Sequence, residues 1–182
     1  MAVDMLEVGV TLPVPAPWRR MLALLRTSVG DPLGGVVDPH ITLIPPTRIA
    51  GADLLDFAHH VDKVAAATSP FRVCLAGAGS FRPVSDVVFA PVAAGADECA
   101  GLAALLRSGP VEVSLDHPFH PHVTAAQNVG ASGLDRATRY LRDFTAEYTA
   151  TQLLLSARTA DNPAAPWIPV FLACLSRPTH PE

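Results

Sequence analysis

Two segments of the chain carry the same short pattern. One is His40-Ile41-Thr42-Leu43, in the stretch DPHITLIPP; the other is His122-Val123-Thr124-Ala125, in FHPHVTAAQ. Each reads as a strand introduced by a proline. Residues two apart in a strand share a face, so His40 sits beside Thr42 and His122 beside Thr124. Ile41 with Leu43, and Val123 with Ala125, then point the other way, into a core. Each strand offers one imidazole and one hydroxyl on its open face. Two such strands around one small site would supply two imidazoles and two hydroxyls. That set suits an oxyanion whose bond is cut by a paired acid and base.

The surroundings of the two segments repeat as well. Glu7 to Val14 reads as a strand ended by prolines, and Trp18, Met21, Leu22, Leu25 and Val29 follow helical spacing. After the His40 strand, stopped by Pro45-Pro46, come a helix through Leu54, Ala58, Val61 and Ala65 and a strand from Phe71 to Leu75. The second half opens with a strand from Val87 to Val92 and a helix through Cys99, Leu102 and Leu106. The His122 strand follows. A fourth helix carries Leu134, Ala137, Leu141, Phe144 and Tyr148 on one face, with Ser132 and Asp135 as a capping box. Thr151 to Ala157 and Ile168 to Leu175 are the last strands. Each half therefore runs strand, helix, HxT strand, helix, strand, and the histidines are 122 − 40 = 82 residues apart. The expected architecture is α+β: one bilobal domain over residues 1–182, divided near residue 83, with the last strand free to cross over. Each lobe is an antiparallel sheet with outer helices, and the sheets face one another across a groove holding both HxT pairs.

These residues give the chain a family resemblance. It resembles the two-histidine phosphoesterase superfamily, which includes bacterial 2′-5′ RNA ligase-like proteins and cyclic phosphodiesterases. The likeness lies in HITL, in F-x-P-H-V-T (Phe119 to Thr124), and in the G-x-G-x-F turn (Gly77 to Phe81). The resemblance implies that His40 and His122 are the catalytic pair, that Thr42 and Thr124 bind the phosphate, and that no metal or other cofactor takes part. It implies a nucleotide or RNA end with a cyclic phosphate or a 2′-5′ linkage as substrate. Ala125 stands where the family usually has a larger aliphatic residue, and Gln127 near where many members carry arginine.

The residues support that chemistry unaided. Histidine titrates near neutrality, so one imidazole can act as base while another acts as acid. Threonine hydroxyls can donate to the non-bridging oxygens where charge builds up. Trp167, Phe81, Arg48 and Arg158 are candidate substrate contacts: the aromatics against a base, the arginines against a phosphate. Packing competes as the reading of both rings. Two other functions remain open. One is a nucleotide- or RNA-binding module without turnover; the other is a metal-dependent hydrolase built on His117, His120 and His122.

Composition bounds the setting. No apolar run is long enough to span a bilayer, and the acidic N-terminal stretch MAVDMLEV does not read as a signal peptide. Cys74, Cys99 and Cys174 lie far apart in apolar contexts and read as buried free thiols, which fits a reducing cytoplasm. Twelve arginines against one lysine suggest a GC-rich bacterial genome. The net charge of −4 argues against a long nucleic-acid footprint but not against a small phosphate substrate. A monomer is expected.

Overall fold

The computed structural model describes residues 4–176. Strand β1 (Met5–Pro13), helix α1 (Trp18–Ser28), strand β2 (His40–Ala50), helix α2 (Leu54–Ala66) and strand β3 (Phe71–Ala76) make the first repeat. A short strand β4 (Gly79–Ser80) precedes the second repeat: β5 (Val87–Ala94), α3 (Ala96–Arg107), β6 (His122–Gln127), α4 (Ala131–Leu141), β7 (Thr145–Ala150) and β8 (Gln152–Thr159). Strand β9 (Ile168–Cys174) is the last described element.

The strands form one large antiparallel sheet in the order β7-β3-β5-β6-β2-β1-β8-β9, with β4 alongside β5. A pseudo-twofold axis falls between β6 and β2. It matches β5 with β1, β3 with β8, and β7 with β9. The last strand of each repeat pairs with the first strand of the other: β3 with β5, and β8 with β1. Helices cross over too, since α1 packs on β6 and α3 on β2. The lobes thus interlock and do not follow a division of the chain near residue 83. One contains β2, β1, β8 and β9; the other contains β6, β5, β3 and β7. The lobes join edge to edge where Ile41 pairs with Val123.

One face of this sheet is packed and the other is open. Val8, Val10 and Leu12 of β1, Ile41 of β2, Val123 of β6, and Leu153 and Leu155 of β8 are fully buried in a single core with the helices. Their strand neighbours at Glu7, Thr11, His40, Thr42, His122, Thr124, Leu154 and Ser156 are half-buried. This is the period-two alternation of a sheet with one face on a core.

Four local expectations fail. β2 does not stop at Pro45-Pro46 but runs on to Ala50. Two residue steps on β1, Val8 to Val10, face three on β2, Thr47 to Ile44. The extra residue is a bulge, where a strand tolerates proline. Helix α4 ends at Leu141, and Tyr148 lies in β7 opposite Val73. A spacing of four keeps residues on one face of both a helix and a strand, so Phe144 and Tyr148 satisfied either period. Gly130, not Ser132, precedes α4, and no side chain caps it. Of the cysteines, Cys99 is buried, Cys74 half-buried and Cys174 exposed. Among the described residues no helix is long and apolar enough to cross a membrane.

Candidate active site

The two HxT strands are direct neighbours. With Ile41 opposite Val123, antiparallel register sets His40 beside Thr124 and Thr42 beside His122. All four side chains occur on the face opposite to buried Ile41 and Val123, which is the open one. The two histidines lie on a diagonal of the ladder, roughly 7–8 Å apart at the backbone.

A matched irregularity follows each threonine. On β1 Thr11 and Val10 are consecutive, but their partners Thr42 and Ile44 skip Leu43. On β5 Phe89 and Val88 are consecutive, but their partners Thr124 and Ala126 skip Ala125. Each HxT strand therefore bulges at its fourth motif residue. The bulge lets two successive residues turn inward, and Leu43 with Ile44, like Ala125 with Ala126, are all fully buried.

The imidazoles are held alike. His40 Nδ1 lies 2.7 Å from the Asp38 carbonyl oxygen, and His122 Nδ1 lies 2.7 Å from the His120 carbonyl oxygen. A carbonyl only accepts, so each Nδ1 carries its proton and donates it. Each Nε2 is left as the working nitrogen: a proton acceptor in the neutral ring, a donor in the charged one. Burial lowers the proton affinity of both rings below the ordinary value of 6.5. For His40 the Asp38 carbonyl opposes this, Arg26 adds to it, and the Asp38 carboxylate opposes it again. For His122 the His120 carbonyl opposes it, while the His120 and His40 rings add to it.

The surroundings break the symmetry. Phe89 pairs with Thr124, while Thr11 holds the matching place opposite Thr42. Phe81 and Phe89 lie 5.0 and 4.9 Å from the His122 ring, and the His120 ring lies 6.1 Å away, near-parallel. The G-x-G-x-F segment builds this wall. Gly77 has φ +75°, and a Cβ at Gly79 would lie 2.3 Å from the Phe89 ring. Only glycine lets the chain pass so close to Phe89 and bring Phe81 onto it, 4.3 Å between ring centres.

The remaining candidates lie on the other side. Trp167 rests against Gly9 of β1, where a Cβ would be 3.8 Å from its ring. The Arg158 guanidinium stacks 4.7 Å over that ring, donates to Glu7 at 2.6 Å and donates to the Pro163 carbonyl at 2.8 Å. Arg48 forms an exposed ion pair with Asp161 at 2.9 Å. Glu7 sits opposite both arginines in the sheet. Both guanidiniums thus have carboxylate partners. His120 and His122 share the Phe81–Phe89 wall, and His117 is exposed. Among the described residues no three His, Cys, Asp or Glu side chains converge into a set that could hold a metal ion.

Sequence reasoning passed over Phe89, His120 as a wall residue, and Arg26. Arg26 and Asp31 form a buried ion pair, Nε to Oδ2 2.9 Å, with side chains 3% and 0% exposed. Asp31 also accepts from the Leu33 backbone N–H at 2.9 Å, and Arg26 donates to the Val37 carbonyl at 3.3 Å. The pair pins the loop that delivers His40. An Arg and an Asp five residues apart across a helix end were the only signal.

Residues 13–162 match the model of the 2′-5′ RNA ligase superfamily. The chain belongs to that family. Among curated relatives, a candidate phosphoesterase of Oceanobacillus iheyensis is 27% identical over 54% of this chain and 58% of its own length. One of Bacillus thuringiensis is 30% identical over 54% of this chain and 57% of its own. The chain therefore spans a little over half the length of these relatives. Among solved structures, E. coli LigT complexed with 3′-AMP superposes with a TM-score of 0.73 at 18% identity, covering 96% of this chain and 100% of that one. A protein of Thermus thermophilus, TT0787, gives 0.65 at 23% identity, with the same coverage. These likenesses show the fold. They match the mixed α+β architecture.

Proposed function

We propose that the chain is a phosphodiesterase that opens a 2′,3′-cyclic phosphate, or cleaves a 2′-5′ linkage, at a nucleotide or RNA end. His40 and His122 act as the acid–base pair. One Nε2 takes a proton from the attacking water as its oxygen bonds to phosphorus. The other Nε2–H gives its proton to the ribose oxygen as the phosphorus–oxygen bond breaks. One proton is gained and one lost, so the charge of the pair is unchanged over the step. Thr42 and Thr124 donate to the non-bridging oxygens, where charge grows. The protein works as a monomer in a reducing cytoplasm.

The matched tethering of the two Nδ1 atoms carries this reading. It leaves two equivalent Nε2 atoms at one site, as an acid and a base on opposite sides of phosphorus require. Both rings bind protons less readily than free histidine, so an arriving phosphate anion supplies the charge that favours protonating one of them. E. coli LigT has been solved with 3′-AMP, ATP and NADP+, which supports a nucleotide ligand for this fold.

The test is a panel of 2′,3′-cyclic nucleotides and 2′-5′ dinucleotides, assayed with a strong chelator present. Turnover with a bell-shaped pH profile is expected. Nucleotide binding without turnover across the panel would leave a binding module of the same fold. Activity abolished by the chelator and restored by zinc would point to the His117–His120–His122 hydrolase instead.

A further inference from the structure

The open face carries a second feature, which leads away from Thr42. Register sets Thr42 opposite Thr11, Thr11 opposite Leu154, and Leu154 opposite Leu172. Neighbouring strands are about 4.8 Å apart, so this row runs about 14 Å across the sheet. Leu154 is half-buried and Leu172 is 50% exposed. Val170 is 42% exposed on the same strand. Trp167 borders the row where it lies against Gly9, with Arg158 stacked over its ring.

The other lobe has no such row. Its matching outer strands, β3 and β7, place Arg72 opposite Thr149 and Cys74 opposite Glu147. Arg72 donates twice to Glu147, at 2.7 Å each. The Arg72–Glu147 ion pair lies across the outer strands of one lobe, and Val170 and Leu172 stand open to water on the outer strand of the other. Contiguous exposed apolar surface marks a place of contact. This one begins at a threonine of the proposed phosphate site, and Arg48 and Arg158 already have carboxylate partners.

We propose that the Thr11–Leu154–Leu172 row, with Trp167 at its side, is a base-binding subsite that seats the nucleosides preceding the reacting phosphate in an oligonucleotide end. The proposal rests on the phosphodiesterase reading above. Bases offer an apolar face to Leu172 and a π-face to Trp167, whatever their sequence. The strand is gripped by its bases and not by its phosphates, because Arg48 is paired with Asp161 and Arg158 with Glu7. The KM of a longer substrate should therefore depend only weakly on salt, unlike that of a protein that neutralises several phosphates.

A length series tests this: mononucleoside, dinucleotide and trinucleotide, each ending in a 2′,3′-cyclic phosphate. In the wild type kcat/KM should rise by about tenfold for each added base. Leu172→Ala should reduce the trinucleotide-to-mononucleoside ratio, and Leu172→Glu should bring it close to one. A flat series in the wild type, or an unchanged ratio in both variants, overturns the subsite while leaving mononucleoside turnover as support for the enzyme. If the wild type turns over nothing, the enzyme reading fails. The same lengths ending in a plain 3′-phosphate are then titrated by tryptophan fluorescence, where affinity that rises with length and is lost in Leu172→Glu upholds the subsite and a flat series rejects it. Sedimentation closes the other route. A wild-type dimer that Leu172→Glu dissociates, with the length ratio unchanged, would assign the row to a second copy of the chain and overturn the proposal.

Discussion

The two halves of the site agree within the strands and differ in what leads up to them. Both have a histidine tethered through Nδ1, a threonine two residues on, and a bulge directly after it. The approach to His40 is pinned by the buried Arg26–Asp31 pair. The approach to His122 is held by packing, with Phe81 and Phe89 around the imidazole and Arg107 over Phe119, 5.9 Å from the ring centre. Two residues before the histidine stands an acid in one half, Asp38, and an imidazole in the other, His120. What the proposed reaction needs twice is present twice, and the two approaches to it differ.

The largest effects should fall on the shared part. His40→Ala and His122→Ala should each lower turnover by about 10²–10⁴-fold, the usual scale for lost acid–base catalysis. The double variant should be little worse than either single one, because the pair acts as a unit. Substrate binding should weaken much less. If either single variant keeps full activity, the equivalence of the two halves is false for catalysis.

The buried ion pair comes next, and it separates the halves. Arg26→Ala leaves Asp31 buried and unpaired, which should destabilise the protein by about 3–5 kcal/mol. Arg107→Ala removes a partly exposed stack and should cost about 1 kcal/mol or less. Chemical denaturation of both variants checks the contrast. Equal losses would mean that the two approaches are anchored with equal strength. Thr42→Ala and Thr124→Ala should retain more turnover than the histidine variants, with losses of up to about 10²-fold, the low end for removing one donor to developing charge. Similar losses at the two threonines would support a shared phosphate.

How much of this was legible follows from which forces wrote it. The HxT strands, the helices and the open face are local matters of period and burial, so Ile41, Val123 and Leu22 declared them directly. The pairing of β3 with β5 and of β8 with β1 was not local. Nothing in Phe71–Leu75 tells which of two similar lobes it will join, because either edge would satisfy the same hydrophobic alternation. The β7 strand hid behind a spacing of four that helix and strand share at Phe144 and Tyr148. Among the site residues, the histidines and threonines stood out because they recur in a pattern. Phe89, Arg26 and Asp31 do not recur, and their roles exist only once the sheet brings distant segments together. Arg48 and Arg158 could be named from sequence, but not their pairing with Asp161 and Glu7.

The smallest predicted effect addresses the residue two positions before each histidine. His120→Asp keeps the backbone carbonyl that accepts from His122 Nδ1, so it changes charge without removing the tether. The titratable and charged groups acting on His122 are the His120 and His40 rings, and both lower its proton affinity. Those acting on His40 are Arg26, which lowers it, and Asp38, which raises it. A carboxylate in place of His120 replaces a lowering influence with a raising one. At about the 6 Å of the present ring separation, a water-screened unit charge is worth about 0.7 kcal/mol, or about half a pH unit. The limb of the pH–rate profile that belongs to His122 should therefore move to higher pH by about that amount. Asp38→Asn should move the limb that belongs to His40 the opposite way, to lower pH, because a carboxylate that favoured the charged ring is gone. If His122 is the base, His120→Asp shifts the acidic limb, since the base must be neutral to work. If His122 is the acid, the same substitution shifts the alkaline limb, since the acid must be protonated. The profile thus shows which half of the site plays which part. Two variants that both leave the profile unmoved would mean that neither residue differentiates the halves.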